Sequence, residues 1–156
     1  MPGVSDGQSV RVATIVVTAA VIERDDHVLV TRRPPGAHLE GLWEFPGGKC
    51  DPGEALDRCL ARELREELDV DARVGPEVFT TTHGYDDRRV ELHFFACELL
   101  GEPKPLLGQD MRWVARADLG SLQFPPADAE LIATLTRQAS AVVHDERKGR
   151  KDRKGI

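Results

Sequence analysis

The chain has 156 residues, a length that favours one domain and that can bury a core without a disulfide or a metal to stabilise it. Charged residues make up 31% and hydrophobic residues 40%, which excludes a wholly disordered or collagen-like chain. The formal net charge of -6 argues against a protein that coats nucleic acid, and no stable nucleic-acid partner is expected. Phosphorylated small molecules stay open as ligands, because metal ions bridge acidic side chains to phosphates.

The cysteines and the apolar runs indicate the cellular location of the protein. Cys50, Cys59 and Cys97 form no CxxC pair, and no secretion signal precedes them. This odd, widely spaced set predicts reduced thiols and a cytoplasmic location. The longest apolar run, near residues 15–22, is far shorter than the roughly 20 residues that cross a bilayer, so no membrane partner is expected.

The pattern of the N-terminal third predicts an arm followed by a β-hairpin. Residues 1–9 predict a flexible arm, and Val10–Ile22, rich in Val, Ile, Thr and Ala, predicts a strand with a buried middle. A polar turn at residues 24–27 and the apolar run Val28–Thr31 complete the hairpin. A loop rich in Pro and Gly then leads to a short extended piece at Trp43–Phe45.

A helix is the clearest element in the middle of the chain. Residues 54–68 contain no Gly or Pro and carry leucines at 56, 60, 64 and 68, a spacing that places one apolar stripe on a helix. Further along, the pattern predicts three strands, a second helix opened by Pro125-Pro126, and a basic, disordered tail. These elements are Glu77–Thr82, Val90–Leu99, Met111–Ala115, Ala127–Gln138 and residues 144–156.

Three carboxylates, Glu63, Glu66 and Glu67, lie toward the C-terminal end of the first helix. At 100° per residue they occupy an arc of about 100° beside the leucine stripe. Like charges three and four residues apart repel, and negative charge is unfavourable at a helix C-terminus. Hard divalent cations bound among the carboxylates would explain the cluster. For an isolated helix, a solvated acidic face paired with nearby arginines would be the preferred alternative.

The carboxylates belong to a longer pattern that begins in the glycine loop. Residues 48–70 resemble the box of the Nudix hydrolases, G-x5-E-x7-R-E-U-x-E-E-x-G-U, where U is a bulky apolar residue. The matching positions are Gly48, Glu54, Arg62, Glu63, Leu64, Glu66, Glu67 and Val70. Asp69 stands where the family has the glycine that ends the helix. Asp tolerates a left-handed conformation better than most residues, so we expect a small stability cost and an intact site.

Flanking segments resemble the MutT branch of that family, which contains the 8-oxo-dGTP pyrophosphohydrolases and the CTP and 5-methyl-dCTP pyrophosphohydrolases. These segments are Thr31–Arg33, Trp43–Lys49 and Phe124–Asp128. The resemblance implies an α/β Nudix fold over residues 10–143, with a mixed β-sheet sandwiched between helices (α/β/α). It also implies hydrolysis of a nucleoside triphosphate to the monophosphate and pyrophosphate, with Mg²⁺, or Mn²⁺ in its place, as the cofactor.

Metal-binding and catalytic residues follow from the same resemblance. Metal ligands would be Glu63, Glu66 and Glu67, with the Gly47 carbonyl as an extra ligand, and Glu63 would orient or deprotonate the water. Arg62 and Glu54 would form a supporting ion pair. Some members add a glutamate after the long strand, where this chain has Leu107; Gln109 or Asp110 would be the substitute.

Substrate-binding residues are carried over in the same way. They are Arg33, Phe45, Lys49, Arg88 and Asp128. Asp128 stands where guanine-specific members carry Asn. An ionised carboxylate only accepts hydrogen bonds and suits the cytosine amino group, whereas a protonated one would still recognise 8-oxoguanine. A carboxylate favoured by the start of the following helix is an equally good explanation.

Three hypotheses follow from the resemblance, two of them enzymatic and one without catalysis. The first is a MutT-type enzyme that removes oxidised or modified nucleotides, acting as a monomer or homodimer. The second is a CTP, dCTP or 5-methyl-dCTP pyrophosphohydrolase. A Nudix domain that senses a nucleotide without turning it over is the alternative of another class, and the complete set of three glutamates argues against it.

Overall fold

A computed structural model of the chain describes residues 13–37 and 40–138. The predicted arm and tail, residues 10–12 of the predicted first strand and residues 139–143 of the predicted domain lie outside that range. The chain divides into two compact units. Among the described residues, the first unit holds residues 13–21 together with Pro46–Leu106, and the second holds residues 22–37, 40–45 and 107–138.

The described residues form seven strands, two helices and two short 3-10 turns. The strands are β1 Ala13–Arg24, β2 His27–Arg32, β3 Trp43–Glu44, β4 Gly47–Lys49, β5 Ala72–Gly84, β6 Arg88–Leu99 and β7 Asp110–Ala115. The helices are α1 Leu56–Leu68 and α2, residues 129–138, and the 3-10 turns are Arg116–Ser121 and Pro126–Asp128. None of the helices in this part of the chain is long and apolar enough to cross a membrane.

The first unit packs α1 against strands. β1 pairs antiparallel with β4, so that Ala19 lies opposite Gly47, and β5 pairs antiparallel with β6 along most of its length. α1 packs against β4 and β5. Three leucines of the predicted stripe, at 60, 64 and 68, are fully buried, whereas Leu56 is half-buried and Cys59 takes its place in the core. The stripe therefore fixes which side of α1 faces away from the core.

In the second unit, the last residues of β1, 22–24, form a hairpin with β2. Asp25 and Asp26 form its turn, and both have a positive φ, as two-residue hairpins with the strand twist require. β2 also pairs antiparallel with β3 and with β7, and its residues 28–30 are fully buried. The N–H of Trp43 donates to the Gln123 carbonyl over 2.8 Å, which holds β3 beside the segment that leads into α2.

The α/β fold class expected from the sequence is confirmed, with differences at element ends. α1 begins at Leu56 rather than residue 54, because residues 51–54 form a turn closed by the Glu54 N–H to Asp51 carbonyl bond. β5 is longer than the predicted Glu77–Thr82, since a bulge between Val74 and Glu77 absorbs Pro76. The single domain over residues 10–143 stays a prediction.

The expectation of three reduced thiols is wrong. Cys50 and Cys59 form a disulfide, and Cys97 alone is free. The pair was missed because it was judged by its spacing along the chain. The turn at residues 51–54 reverses the chain, and α1 then places Cys59 in its first turn, facing back toward Cys50. Burial raises the pKa of the Cys97 thiol to about 12, so this third cysteine is unreactive.

Candidate active site

The C-terminal end of α1 is closed by Asp69. Its φ of 52° and ψ of 44° are left-handed, and its N–H donates to the Arg65 carbonyl. The next orphan carbonyls are bound as well, because Lys104 N–H donates to Leu68 and Leu106 N–H donates to Glu67. Asp69 thus adopts the left-handed conformation that glycine has at this position of the motif. The helix that contains the three glutamates therefore ends at the residue that the motif predicts.

Arg62 is the centre of an ion cluster on α1. Its Nε and Nη2 donate to the two carboxylate oxygens of Glu54 over 2.8 and 2.9 Å, and Nη2 also reaches the Lys49 carbonyl. Arg62, and then the Asp51 N–H, lower the pKa of Glu54 to about 2 by hydrogen bonding, and Glu54 in return raises the pKa of Arg62. These bonds fasten residues 49–54 to α1, a positioning role for both side chains.

Glu54→Gln is expected to make the protein less sensitive to acid. The pKa of Glu54 falls from 4.5 to about 2 on folding, so its ionised form stabilises the fold above about pH 4.5. That contribution is lost as the pH falls toward 2. We expect Tm, followed by circular dichroism, to fall less between about pH 5 and pH 3 in E54Q than in the parent. Glu98→Gln, at an exposed ion pair with Arg73, is the matched control. Equal acid sensitivity of E54Q and parent would contradict this role.

Glu63 is held in a cradle formed by glycine. A Cβ added to Gly48 would lie 2.1 Å from Glu63 Oε1 and 2.4 Å from its Cδ, so the carboxylate occupies the space that any other residue would fill. Gly47 makes a second close approach, since its Cβ would lie 2.0 Å from the Thr18 carbonyl oxygen. Both glycines of the loop are therefore needed for β4 to fit between β1 and the Glu63 side chain.

The carboxylates of α1 present a surplus of negative charge. Nη1 of Arg62 donates to Glu63 over 2.8 Å and to Glu66 over 3.2 Å, so one guanidinium faces three carboxylates, Glu54 included. Glu66 is 58% exposed and Glu67 is half-buried one residue further along the helix. Glu54, Glu63 and Glu66 together exceed the charge of Arg62 by two negative charges, and oxygen donors with such a surplus around a glycine cradle suit a hard divalent cation. Glu63, Glu66 and Glu67 would hold it.

The side chains whose potential metal-ligand atoms lie closest together are not the three glutamates of α1. In residues 13–37 and 40–138, one set of three donors lies within 4.8 Å of one another, namely Cys50, Glu54 and Cys59. The two sulfurs are joined in the disulfide and both Glu54 oxygens accept hydrogen bonds from Arg62, so all of these ligand atoms already have partners. The oxygens of Glu63, Glu66 and Glu67 are not drawn together to that degree, and the guanidinium of Arg62 lies between two of them.

The stretch expected to replace the family's further glutamate has other partners. Leu107 is 61% exposed, and its N–H donates to the side-chain oxygen of Gln109 over 2.8 Å. Asp110 forms an ion pair with Arg32. Gln109 and Asp110 thus contact other groups of the protein, and their substitution for the family's glutamate stays a prediction.

Two substrate-binding candidates belong to the first unit. Lys49 is exposed at the end of β4. Arg88 begins β6, and its guanidinium lies 5.3 Å from the ring of Tyr85, which is 48% exposed. The Nε of Arg88 is buried without a hydrogen-bond partner among the described residues. A buried N–H group without a hydrogen-bond partner destabilises the fold unless a ligand or a water molecule accepts its hydrogen bond. This supports Arg88 as a ligand-binding group.

The other candidates lie in the second unit, where the structure brings them together with two residues that sequence reasoning missed. Arg33 Nε donates to Glu44 over 3.0 Å. The ring of Phe45 is buried and stacks on Phe124, with centroids 5.5 Å apart. Phe45 and Phe124 thus form one apolar wall, and Glu44 adds a carboxylate. The residues that sequence reasoning missed are Glu44 and Phe124. Both lie in the segments that resemble the MutT branch, and that position could have indicated them.

Asp128 is buried, and its pKa lies near neutral pH. Its side chain is in the 3-10 turn that precedes α2, and the residue is 4% exposed. Burial, and then the charge of Glu44, raise its pKa to about 7. Burial raises the pKa of Glu44 too, against the opposing effect of Arg33. A helix-start carboxylate would be expected to ionise readily, so this environment favours a group that reads a ligand.

Known proteins resemble this chain over most of its length. A protein-family model described as NUDIX domain matches residues 17–134. The chain is 38% identical over 121 residues to the CTP pyrophosphohydrolase of Escherichia coli K12, covering 76% of this chain and 88% of that protein. It is 31% identical over 123 residues to the 8-oxo-dGTP diphosphatase of the same bacterium, covering 78% and 95%. The solution structure of the E. coli ORF135 protein matches with a TM-score of 0.74 and 34% identity, covering 83% and 94%.

Proposed function

The chain belongs to the Nudix hydrolase family, and from that premise we propose that it is a nucleoside triphosphate pyrophosphohydrolase of the MutT type. Nudix hydrolases generally use divalent metal ions. The proposed cofactor is Mg²⁺, with Mn²⁺ as its substitute, and the proposed products are the nucleoside monophosphate and pyrophosphate. The observation that carries the proposal is the Glu63 carboxylate seated against Gly48 beside Arg62, Glu66 and Glu67.

Each group of the first unit has a role in this proposal. The bound cation would neutralise phosphate charge and lower the pKa of a water molecule. Glu63, placed in the glycine cradle, would orient the attacking water and accept its proton. Arg62 and Glu54 keep the loop on the helix, and Arg88 and Lys49 supply positive charge for the phosphates.

The second unit supplies the proposed base recognition. Phe45 with Phe124 offers an apolar wall, and Asp128, Glu44 and Arg33 offer hydrogen-bonding groups. A protonated Asp128 donates one hydrogen bond and accepts another, as an Asn would, which fits the edge of 8-oxoguanine. Our first proposal is therefore an enzyme that removes nucleotides of the 8-oxo-dGTP type from the pool.

A second substrate is favoured by a specific observation. The chain is 38% identical to a CTP pyrophosphohydrolase, and Asp128 when ionised accepts hydrogen bonds from a cytosine amino group. CTP, dCTP or 5-methyl-dCTP is therefore the second candidate. Pyrophosphate release with Mg²⁺, measured against a panel of normal and modified nucleoside triphosphates, decides between the two. No release from any of them would refute both.

The ratio of the two specificities is expected to depend on pH. As the pH rises through the Asp128 pKa of about 7, the group loses its donor, so kcat/KM for 8-oxo-dGTP relative to 5-methyl-dCTP should fall. A donor–acceptor mismatch costs about 1–3 kcal/mol, so we expect a change of about fivefold or more between pH 6 and 8.5. In Asp128→Asn, which imitates the protonated form, the ratio should stay at its low-pH value. A ratio that is independent of pH in the parent would exclude Asp128 as the base reader.

A nucleotide sensor without turnover is the alternative of a different class. Glu67→Gln distinguishes the two, because an enzyme loses turnover while it retains binding, whereas a sensor has no turnover to lose. The proposed location is the cytoplasm, where nucleoside triphosphates are used for synthesis. The proposed assembly is a monomer or homodimer without a nucleic-acid or membrane partner, and light scattering of the purified chain would test it.

A further inference from the structure

We propose that the Cys50–Cys59 disulfide is a reversible redox site that holds Gly48 against Glu63 and so strengthens binding of a divalent cation by the carboxylates of α1. Two chain segments meet at this bond. Cys50 directly follows β4, the strand that contains Gly48, and Cys59 lies in the first turn of α1. The redox role rests on the proposed function in one respect, namely that Glu63 binds the cation.

Contacts around the disulfide lead directly to Glu63. Cys59 and Glu63 are four residues apart and therefore share a face of α1. The Sγ of Cys59 lies 3.9 Å from the Gly48 carbonyl oxygen, and Gly48 is the residue whose missing Cβ makes room for the Glu63 carboxylate. The bond thus fixes β4 to the helix one turn before the proposed metal ligand.

Thr18 completes the surroundings of the sulfurs. It is fully buried, and its Oγ1 lies 3.2 Å from the Sγ of Cys59. Since a disulfide sulfur carries no proton, Thr18 is the donor in this contact. The partner strand also restrains Cys50, whose N–H donates to the Val16 carbonyl over 2.8 Å. These contacts keep the two cysteines near each other when the bond is open, which favours re-formation.

Cys50 is the cysteine of the pair that lies nearer to solvent. Cys59 is 0% exposed, whereas Cys50 is 8% exposed and lines a surface cleft of about 530 Å³ between residues 13–16 and 49–56. A low-molecular-weight thiolate therefore attacks Cys50 Sγ, the bond between the cysteines breaks, and Cys59 leaves as the thiolate and takes up a proton. A second thiol then releases Cys50, so that two thiols become one small disulfide. A small disulfide drives the reverse reaction.

Other restraints keep the opened protein folded. The bonds from Arg62 to Glu54 and to the Lys49 carbonyl still tie the loop to α1, and β4 still pairs with β1. Reduction is therefore expected to loosen the position of Gly48 relative to Glu63 without unfolding the first unit. The consequence is weaker cation binding in the reduced protein, by about tenfold or somewhat less.

The test uses the full chain and Mn²⁺ as the probe. Protein is incubated with glutathione disulfide or with glutathione, and free thiols are counted after denaturation; we expect one in the oxidised chain and three in the reduced chain. Mn²⁺ affinity, measured by electron paramagnetic resonance without substrate, should fall on reduction and recover on re-oxidation. Cys97→Ser, which removes the free cysteine, should show the same response.

Two variants separate redox control from a merely structural bond. Cys50→Ser and Cys59→Ala should each bind Mn²⁺ with the lower affinity and should no longer respond to glutathione. If either variant fails to fold, chemical reduction of the parent gives the same comparison. Equal Mn²⁺ affinity in the oxidised and reduced parent, or three free thiols in the presence of glutathione disulfide, would overturn the proposal. Redox-dependent Mn²⁺ binding without any pyrophosphate release would instead refute the proposed function alone.

Discussion

Glu67→Gln and Glu66→Gln are each expected to lower kcat by at least about two orders of magnitude while the protein stays folded. The substitution keeps the size of the side chain and removes one negative charge from the set proposed to hold the cation. Interactions that offset developing phosphate charge are commonly worth about 3–4 kcal/mol, which corresponds to this loss. Pyrophosphate release at saturating Mg²⁺ is the measurement.

Stability should move in the opposite direction to activity. These glutamates repel each other and lie near the C-terminal end of α1, where the helix dipole disfavours negative charge. Replacing one of them by Gln should therefore leave Tm unchanged or raise it slightly. Asp57→Asn, an exposed carboxylate in the first turn of the same helix, is the control and should retain full activity. Turnover within tenfold of the parent in E66Q and E67Q would exclude these residues as cation ligands.

Gly48→Ala is expected to remove about 99% of the activity through a single methyl group. The new Cβ would lie 2.1 Å from Glu63 Oε1, a distance at which one of the two must move. The Glu63 carboxylate is the far end of a flexible side chain, so it yields rather than the backbone. Its displacement by about 1 Å from the water that it is proposed to orient accounts for a loss of about 100-fold.

The fold should tolerate this change. Because the side chain moves and the strand does not, we expect the Tm of G48A to lie within about 3 °C of the parent. Gly120→Ala is the matched control, since the described residues, its two chain neighbours apart, place no atom within 4 Å of the Cβ that it would add. A crystal structure or NMR spectrum of G48A should show the Glu63 side chain displaced. Full activity in G48A would remove Glu63 from the proposed catalytic position.

Patterns that repeat along the chain predicted the fold well. The leucine spacing gave the buried face of α1, because a helix with a strong apolar stripe has one way to face a core. The hairpin of β1 and β2 followed from two apolar runs around a polar turn. Element ends were less predictable, since they depend on contacts with distant residues. The bulge at Val74–Glu77 and the 3-10 turn before α2 are examples.

Features of the site that depend on contacts between distant residues could not be predicted from the sequence. The Glu54–Arg62 bond was expected from a fixed motif spacing, and the structure contains it. The Cys50–Cys59 bond depends on a chain reversal that the spacing of cysteines does not reveal. The raised pKa of Asp128 required knowledge that the side chain is buried near Glu44, which is 84 positions away in the sequence.

The left-handed Asp69 also bears on how such motifs are written. Glycine occurs at this position of the box because the backbone has a positive φ there. In this chain Asp69 adopts that conformation, with a φ of 52°. The glutamates of the same motif are proposed to bind a cation, and we expect no such exchange at their positions. A pattern search that demanded glycine would discard this chain although its helix ends correctly. Motif positions are therefore better defined by the physical property that each one supplies, with glycine, asparagine and aspartate treated as equivalent at a left-handed helix end.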